Sequence, residues 1–593
     1  MMLQALVTFA ERRIAADPDF FDPDFRWENA AWRIEVNRNG KLTGVIPLKV
    51  KDGKKWKLKR VRRPYTDVNE ISVRSLEKAK SYFLCDTLER VLLYADKNVI
   101  STDPLLVARS RFFLESIKQA AAKGAAANLL GAVVRFLESG SELESARRSL
   151  SESEADPDEN VVFGVEGTDV MSNPEIMAYW REQRRLKAGA GGTNRAVCLV
   201  TGELADCVST ANKIKGIGGQ DTILISANEQ AFSSFGLDKA ANSPISVQAE
   251  GLVKAALDDL IRKSKEQRLV FNETIHLHWT RKPVPKDPFD LIAQPDEEAV
   301  KALIESVKAG RKLVAFDANA YYALSLSANG ARIVIRDWLE SSVPEVEANI
   351  ARWFQDLTII DPEHLLPKRD FSLWGLLATL VPRKEGKPDF GKLAPQAATE
   401  LLYAALNGGS LPQPILFAAI RRHQLEDNKI NPARLALIKA CLIRSANRKE
   451  TDTMKENLDP ESKDRAYLCG QLFAVIGRLQ LLALGKVGAS IAERTYGGVA
   501  TRPATTFGPL FTKLPAYLKK ANTRFPGSGT NKQKELESLS VRVEALGGIP
   551  QTLGLEEQGR FALGYYCQLA QYRTDRAEAE AAKKAEELAD ESN

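Results

Sequence analysis

Apolar and polar positions alternate through Trp32-Arg33-Ile34-Glu35-Val36, the segment Asn37-Arg38-Asn39-Gly40 turns, and Leu42 to Leu48 returns. A period of two on both sides of an Asn/Gly turn predicts two short antiparallel strands over 31–48. Residues 76–96 place Leu84, Leu88, Val91 and Leu92 at helical spacing. The polar stretch from Gly140 to Asn160, rich in Ser and Glu, reads as an exposed connection, and Val161-Val162-Phe163-Gly164-Val165 resumes strand character. Residues 181–195 are basic (Arg181, Arg184, Arg185, Lys187) and then glycine-rich (Gly189, Gly191, Gly192), which predicts a mobile loop. Proline punctuation follows at Pro283 to Pro288 and at Pro382 to Pro395. From about residue 396 the pattern is mostly helical. Asn431-Pro432 sets a cap and a first-turn proline ahead of Leu435, Ile438, Leu442 and Ile443. Arg465 to Leu484 predicts a long amphipathic helix, and Pro526-Gly527-Ser528-Gly529 breaks the next pair of helices. The tail from Asp575 to Asn593 mixes charge with alanine and lacks an apolar face, as a solvated helix does.

These periods predict an α+β chain: a mixed N-terminal region with short antiparallel strands, then an all-α C-terminal helical bundle. With 593 residues the chain is too long for one core. The expected domains are 1–150, 151–395 and 396–593. Hydrophobic residues at 44% and charged residues at 27% suit a folded, soluble protein. No apolar run reaches eighteen residues, and Met1 to Val7 leads into Glu11-Arg12-Arg13 without a cleavage site, which argues against a secretory signal or a membrane span. Six scattered cysteines form no C-x-x-C pair, so buried or semi-buried free thiols in a reducing cytosol are expected.

Net charge is only +6, so its distribution matters more than its total. Eight of the thirteen residues from Lys51 to Arg63 are basic: Lys51, Lys54, Lys55, Lys57, Lys59, Arg60, Arg62 and Arg63. Such a tract neutralises phosphates and releases their counterions. Trp56 within it is placed either to stack on an unpaired base or to pack against the domain. A solvated loop without a partner is the alternative.

The most distinctive stretch is Cys198-Leu-Val-Thr-Gly-Glu203 followed by Asn212-Lys213-Ile214-Lys215-Gly216-Ile217-Gly218-Gly219-Gln220. A dinucleotide fingerprint needs glycine where Asp221 stands, and a P-loop needs Gly-Lys-Ser/Thr where Gly219 precedes Gln220 and Asp221. The sequence Thr222 to Ala227 reads as a strand, so no helix N-terminus meets a phosphate there. What remains is a glycine loop between lysines and a glutamine. It is either a DNA-contacting loop, with lysines on phosphates and an amide on a base edge, or a tight turn between strands. His276 and His278 share a strand face but lack further metal partners, with only His364 and His423 elsewhere. Asp86, Glu89, Asp258 and Asp259 read as helix-surface charges. No catalytic constellation, metal site or cofactor site is expected.

Several long ordered stretches resemble the large subunit of subtype I-C CRISPR surveillance complexes. The central block comprises Cys198 to Glu203, Lys213-Ile-Lys-Gly216, Gly219-Gln220, Ala231-Phe232-Ser-Ser-Phe235-Gly236 and Asn242-Ser-Pro244-Ile-Ser246. Tyr322 to Trp338, Ala466 to Ile476, Leu563-Gly-Tyr-Tyr566, Met2 to Leu6 and Phe83-Leu-Cys-Asp86 extend the similarity over nearly the whole chain. Ala211, Asp221-Thr222, Phe235 and Ala328 stand where the family tends to carry histidine, serines, tyrosine and proline.

The resemblance implies a non-enzymatic subunit of an RNA-guided complex in the prokaryotic cytoplasm. Its partners would be guide RNA with backbone and guide-processing subunits, target duplex DNA and the displaced strand, and a helicase–nuclease recruited in trans. Guide RNA would read most of the target, while protein reads a short adjacent duplex motif and starts unwinding and R-loop formation. Lys213, Lys215, Gly218, Gly219 and Gln220 are the leading motif-contacting residues, Asn69 is a further base or sugar contact, and the Lys51–Arg63 tract takes phosphates. Of the five methionines, Met454 opens a helical segment, and the resemblance implies an internal start that yields a separate small subunit, for which Met454 is the candidate (454–593); an ordinary internal methionine in a linker is the alternative. A DNA-binding scaffold without motif reading and a cryptic nuclease are the rival readings.

Overall fold

The computed structural model describes residues 2–591 except 18–19, 23, 53–54, 67–70, 96–102, 190–194, 209–210, 226–229, 234–235, 238, 267–268, 272, 286, 309–318, 362, 427–429, 446–453 and 486–487. The chain forms two compact units: residues 1–213 with 223–258, and residues 214–222 with 259–593. Short strands dominate the first half and helices the second, so the α+β class holds.

In the first unit, β1 (Phe25–Ala30), β4 (Lys49–Asp52) and β5 (Lys55–Pro64) form a three-stranded antiparallel sheet in the order β1-β5-β4. A second sheet has the order β3-β2-β7-β6, from β2 (Trp32–Val36), β3 (Leu42–Pro47), β6 (Asp86–Thr87) and β7 (Asn160–Val165), with β8 (Thr168–Asp169) on β7. The strand pair expected over 31–48 is present, with Trp32 opposite Pro47 and Ile34 opposite Val45. Strand β2 also pairs with β7 in parallel, Trp32 to Val161 through Val36 to Val165. Parallel neighbours need a long crossover, and the helices Pro104–Ala122, Ala127–Glu138 and Gly140–Glu152 lie within it. Their apolar faces put Phe113, Ile117, Val133 and Phe136 into one core with Trp32, Ile34, Phe163 and Val165. Each such fully buried side chain contributes about 1.5–3 kcal/mol of transfer free energy.

Four expectations need correction here. Gly140–Glu152 is a helix, not a connection: Ser139 caps it by accepting from Glu142 N, and Ala146 and Leu150, four apart, give it a narrow buried stripe. Residues 181–189 belong to the helix Pro174–Gly189, because Arg181 and Arg184 are held by Asp22 and Asp24 at 2.6 and 3.3 Å. Residues 76–95 hold no continuous helix, only a 3-10 turn at Leu76–Lys78 and an α-helix at Leu88–Leu92, because Leu84 and Leu93 take left-handed backbone angles. Asp86 is buried, not a surface charge; it accepts from Ser81 Oγ, Tyr82 N and Thr87 N and pairs with Arg90 at 3.2 Å.

The second unit carries a four-stranded antiparallel sheet in the order β13-β14-β15-β16. Its strands follow β9 (Arg195–Val197), β10 (Leu204–Asp206), β11 (Ile214–Ile217) and β12 (Gln220–Thr222) and are β13 (Val270–Phe271), β14 (Thr274–Thr280), β15 (Ala320–Asn329) and β16 (Arg332–Ser342). Tyr321 and Leu339 join a core with Ile350 and Phe354 of helix Val343–Leu357, Leu401 of Ala397–Asn407 and Leu435 of Pro432–Ile443. Asn431 caps the last of these by accepting from Arg434 N at 3.1 Å. His276 and His278 go to different partners: His276 Nδ1 lies 2.8 Å from Ser325 Oγ, and His278 Nδ1 lies 3.1 Å from Asp287 and stacks on Phe289.

A separate core forms around helix Arg465–Leu484. This helix is not amphipathic; Leu468, Cys469 and Phe473 bury one side, and Gly470, Gln471, Ala474 and Val475 continue the burial around the others. By length and composition it is apolar enough to cross a membrane, and here it sits within a bundle. The long helix Leu555–Glu591 gives Ala562, Leu563, Tyr566 and Cys567 to the sheet-backed core and Phe561 and Tyr565 to the bundle core. Gly470 and Gly564 mark the crossing of these two helices. A Cβ on Gly470 would lie 2.1 Å from Phe561 O, and one on Gly564 would lie 2.0 Å from Tyr467 O. All six cysteines are buried and free.

Candidate nucleic-acid interface

The basic tract is sorted by strand alternation. In the β1–β5 pair, Trp27 faces Arg62 and Asn29 faces Arg60, while Arg26 faces Arg63, Glu28 faces Val61 and Ala30 faces Lys59. Residues directly opposite share a face, and successive residues point to opposite faces. The face with Val61 and Ala30 turns inward. On that side Arg63 pairs with Glu28 at 2.7 Å and lies 3.7 Å over the Tyr82 ring, so this cation is spent on the fold.

The other face buries Phe25 and Pro64 at one end and is open at Trp27, Asn29 and Arg60. Trp27 is 37% exposed, and the guanidinium carbons of Arg60 and Arg62 lie 5.2 and 5.4 Å from its ring centroid. Arg60 is exposed, and among the described residues no carboxylate pairs with it. Lys59 is exposed too, although its place opposite Ala30 puts it on the side with Val61. The strands hold Lys51, Lys55, Trp56 and Lys57 in β4 and β5, but their side chains lie outside the described residues, as do Lys54 and Asn69 altogether.

Other cations nearby are neutralised. Lys49 pairs with Glu159 at 2.9 Å and covers the Trp32 ring at 4.6 Å. Arg26 is sandwiched against Phe21 and Tyr65 at 4.9 and 4.4 Å. The sequence reading missed Trp27 because it began strand structure at residue 31. The signal was present: Phe25, Trp27 and Asn29 alternate with Arg26, Glu28 and Ala30 as a strand requires.

The glycine loop, in the second unit, is a tight β-hairpin. Ile214 pairs with Thr222 and Ile217 with Gln220, and Thr222 Oγ1 donates to Ile214 O at 3.0 Å. Gly218 and Gly219 both have positive φ, +64° and +76°, as the two central residues of a type I′ turn must. A Cβ on Gly218 would lie 2.3 Å from Ala328 Cβ, and one on Gly216 would lie 2.8 Å from Lys265 Nζ. Packing thus accounts for these two glycines. Gly219 meets nothing within 4 Å and forms the open tip. Lys215 is exposed on the hairpin and Lys213 is exposed just before it. The Gln220 side chain lies outside the described residues. The strand expected over 222–227 stops at Thr222, where pairing with β11 ends. In the first unit Asn212 is fixed by the buried Glu250, whose Oε1 accepts the Asn212 backbone N–H at 2.6 Å. Burial raises the Glu250 carboxyl, and the Asn212 donors oppose the rise.

The block Cys198 to Glu203 closes the hairpin of β9 and β10, with Cys198 N donating to Glu203 O and Gly202 N to Cys198 O. Burial raises the Cys198 thiol, but hydrogen bonds from Ser246, Thr201 and Val200 outweigh it and bring it down to about 7. Among the described residues no group of three or more His, Cys, Asp or Glu side chains is placed to hold a metal ion.

An exposed arginine–tryptophan face on one sheet and a lysine-flanked glycine hairpin are surfaces suited to phosphates and bases. The sequence matches the family model described as CRISPR-associated protein (Cas_Csd1) over residues 6–573. The chain belongs to the Cas_Csd1 family. The Cas_Csd1 match includes Trp27, Arg60, Arg62 and the hairpin from Lys213 to Gln220, and leaves out only residues 1–5 and 574–593, the latter holding the whole charged tail. Comparison with curated proteins finds no match.

Proposed function

We propose that this Cas_Csd1 protein is the large subunit of a subtype I-C RNA-guided complex in the prokaryotic cytoplasm. It reads a short duplex motif beside the target, starts unwinding and R-loop formation, and presents a landing surface for a helicase–nuclease acting in trans. It works beside guide RNA with backbone and guide-processing subunits, and it binds without catalysing. The family match over residues 6–573 carries this reading. The exposed Trp27–Arg60–Arg62 face and the lysines flanking the hairpin support it with surfaces for DNA.

The test is target binding by the assembled complex on duplexes that differ only beside the target. Gln220→Ala should cost about 1–3 kcal/mol of discrimination between motifs. Lys213→Ala with Lys215→Ala should weaken all duplexes evenly and flatten the salt dependence. Normal discrimination by the Gln220 variant would remove the hairpin from motif reading. One observation favours the scaffold alternative: packing alone explains Gly216 and Gly218, leaving Gly219 as the loop glycine open to DNA.

The same reading assigns residues 454–593 a second role as a separate small subunit started at Met454. Every residue of the bundle core, from Ala466 to Tyr565, follows that methionine. At the seam it would leave, Ala562, Leu563, Tyr566 and Cys567 join the sheet-backed core, and beside them lies a cavity of about 430 Å³ lined by Met454, Lys439, Tyr467, Arg560 and Cys567 among others. Mass spectrometry of the purified complex should find a fragment beginning at Met454, and a complex without one ends this part of the proposal.

A further inference from the structure

We propose that Trp27, with Arg60 and Arg62, is a stacking site for one unpaired base of single-stranded DNA. The proposal rests on the DNA-contacting role above and names the form of DNA this face takes.

The first ground is exposure. An indole on an open sheet face leaves apolar area in water, and Trp27 does so at 37%. The second is its dressing. Among the described residues, Trp27 is the exposed aromatic ring that carries two guanidinium groups. Trp374, nearly as exposed, is instead packed edge-on to Phe390 at 4.8 Å and against Phe271 at 4.4 Å. The third is register. Arg62 lies directly opposite Trp27, and Arg60 lies two residues along the same strand, about 6.8 Å away. Both cations therefore sit on the face that presents the ring.

The ligand follows from this geometry. A flat π surface takes any base whose own face is uncovered, whatever its identity. Bases inside a duplex are covered by their neighbours, so a duplex offers this site only phosphates. An unpaired nucleotide offers a base to Trp27 and phosphates to the two arginines. A displaced strand is DNA of that kind.

The experiment uses the full chain, at fixed salt, with a 15-nucleotide oligothymidylate, an abasic strand of equal length, a blunt duplex and an oligouridylate. Trp27→Ala should weaken oligothymidylate binding about tenfold, close to the loss of one stacked base. It should leave duplex and abasic-strand binding within about twofold. Trp27→Phe should keep most of the affinity and also reports on folding. Arg60→Ala with Arg62→Ala should weaken all strands and flatten the salt dependence. Unchanged oligothymidylate binding by Trp27→Ala, or equal wild-type binding of abasic and thymidylate strands, overturns the proposal while duplex binding stands. Tighter, Trp27-dependent binding of oligouridylate overturns the assignment to DNA. Absence of any nucleic-acid binding by the wild type overturns both the site and the DNA-contacting role it rests on.

Discussion

In the β1–β5 sheet the strands are joined by backbone hydrogen bonds and send their side chains to two faces, whereas helices Arg465–Leu484 and Leu555–Glu591 meet where side chains are missing. On the sheet, Arg60, Arg62 and Arg63 get their duties from parity. Arg63 turns inward to Glu28 and Tyr82, and Arg60 and Arg62 turn outward with Trp27. At the helix crossing, Gly470 and Gly564 put backbone against backbone. The sheet's outer face has room for a ligand, and substitutions there should change binding more than stability. The crossing has no room, and substitutions there should change stability alone.

The largest effect should come from the crossing. Gly564→Ala or Gly470→Ala should destabilise the protein by about 3 kcal/mol, because the added carbon meets rigid backbone on a partner helix. The roughly 1 kcal/mol gain in helix propensity is too small to offset this. Chemical denaturation measures it, and a loss below about 1 kcal/mol would mean that the helices separate easily.

Next is acid sensitivity of the buried sheet. Burial pushes His276 down to about 4, and its Nε2 has no hydrogen-bond partner among the described residues. The unfolded chain, with an ordinary imidazole near 6.5, takes up the proton first as pH falls, so stability declines from pH 6.5 downward. Between pH 6.5 and 5 the loss should be about 2 kcal/mol. His276→Gln should remove that part of the slope.

A smaller pair of effects separates the two faces of one strand. Arg63→Ala should cost about 1 kcal/mol by leaving Glu28 and the Tyr82 ring uncovered. Arg60→Ala should change stability by less than about 0.5 kcal/mol, yet lower the salt slope of DNA binding by about 1. Equal stability losses for the two would break the contrast between the faces. The hairpin tip carries a steric contrast of its own. Gly219→Ala has space but a left-handed φ and should cost about 1 kcal/mol, less than Gly218→Ala, which also strikes Ala328.

Periodicity made much of the fold readable. The strand pair at 31–48, the strand Val161–Val165, the Asn431 cap and the helices after residue 396 follow from local pattern and capping chemistry. The basic tract was visible as composition. Its division was not, because parity means little until β1 fixes which face is open, and that pairing partner lies some thirty residues away. Gly140–Glu152 was misjudged because a helix with two buried residues shows little period until a sheet packs against it. Asp86 was misjudged because three donors that bury a carboxylate are set by backbone geometry.

The sequence alone determined the α+β class, the absence of a nucleotide-binding glycine fingerprint between Lys213 and Gln220, and membership of the Cas_Csd1 family. Only the tertiary structure decided that the glycine loop is a hairpin packed on Ala328, that two helical glycines mark a backbone crossing, and that Trp27 stands between two arginines. The reason is range. Propensity, capping and motif spacing act within a few residues along the chain, while burial and stacking are settled by strands and helices far apart in sequence.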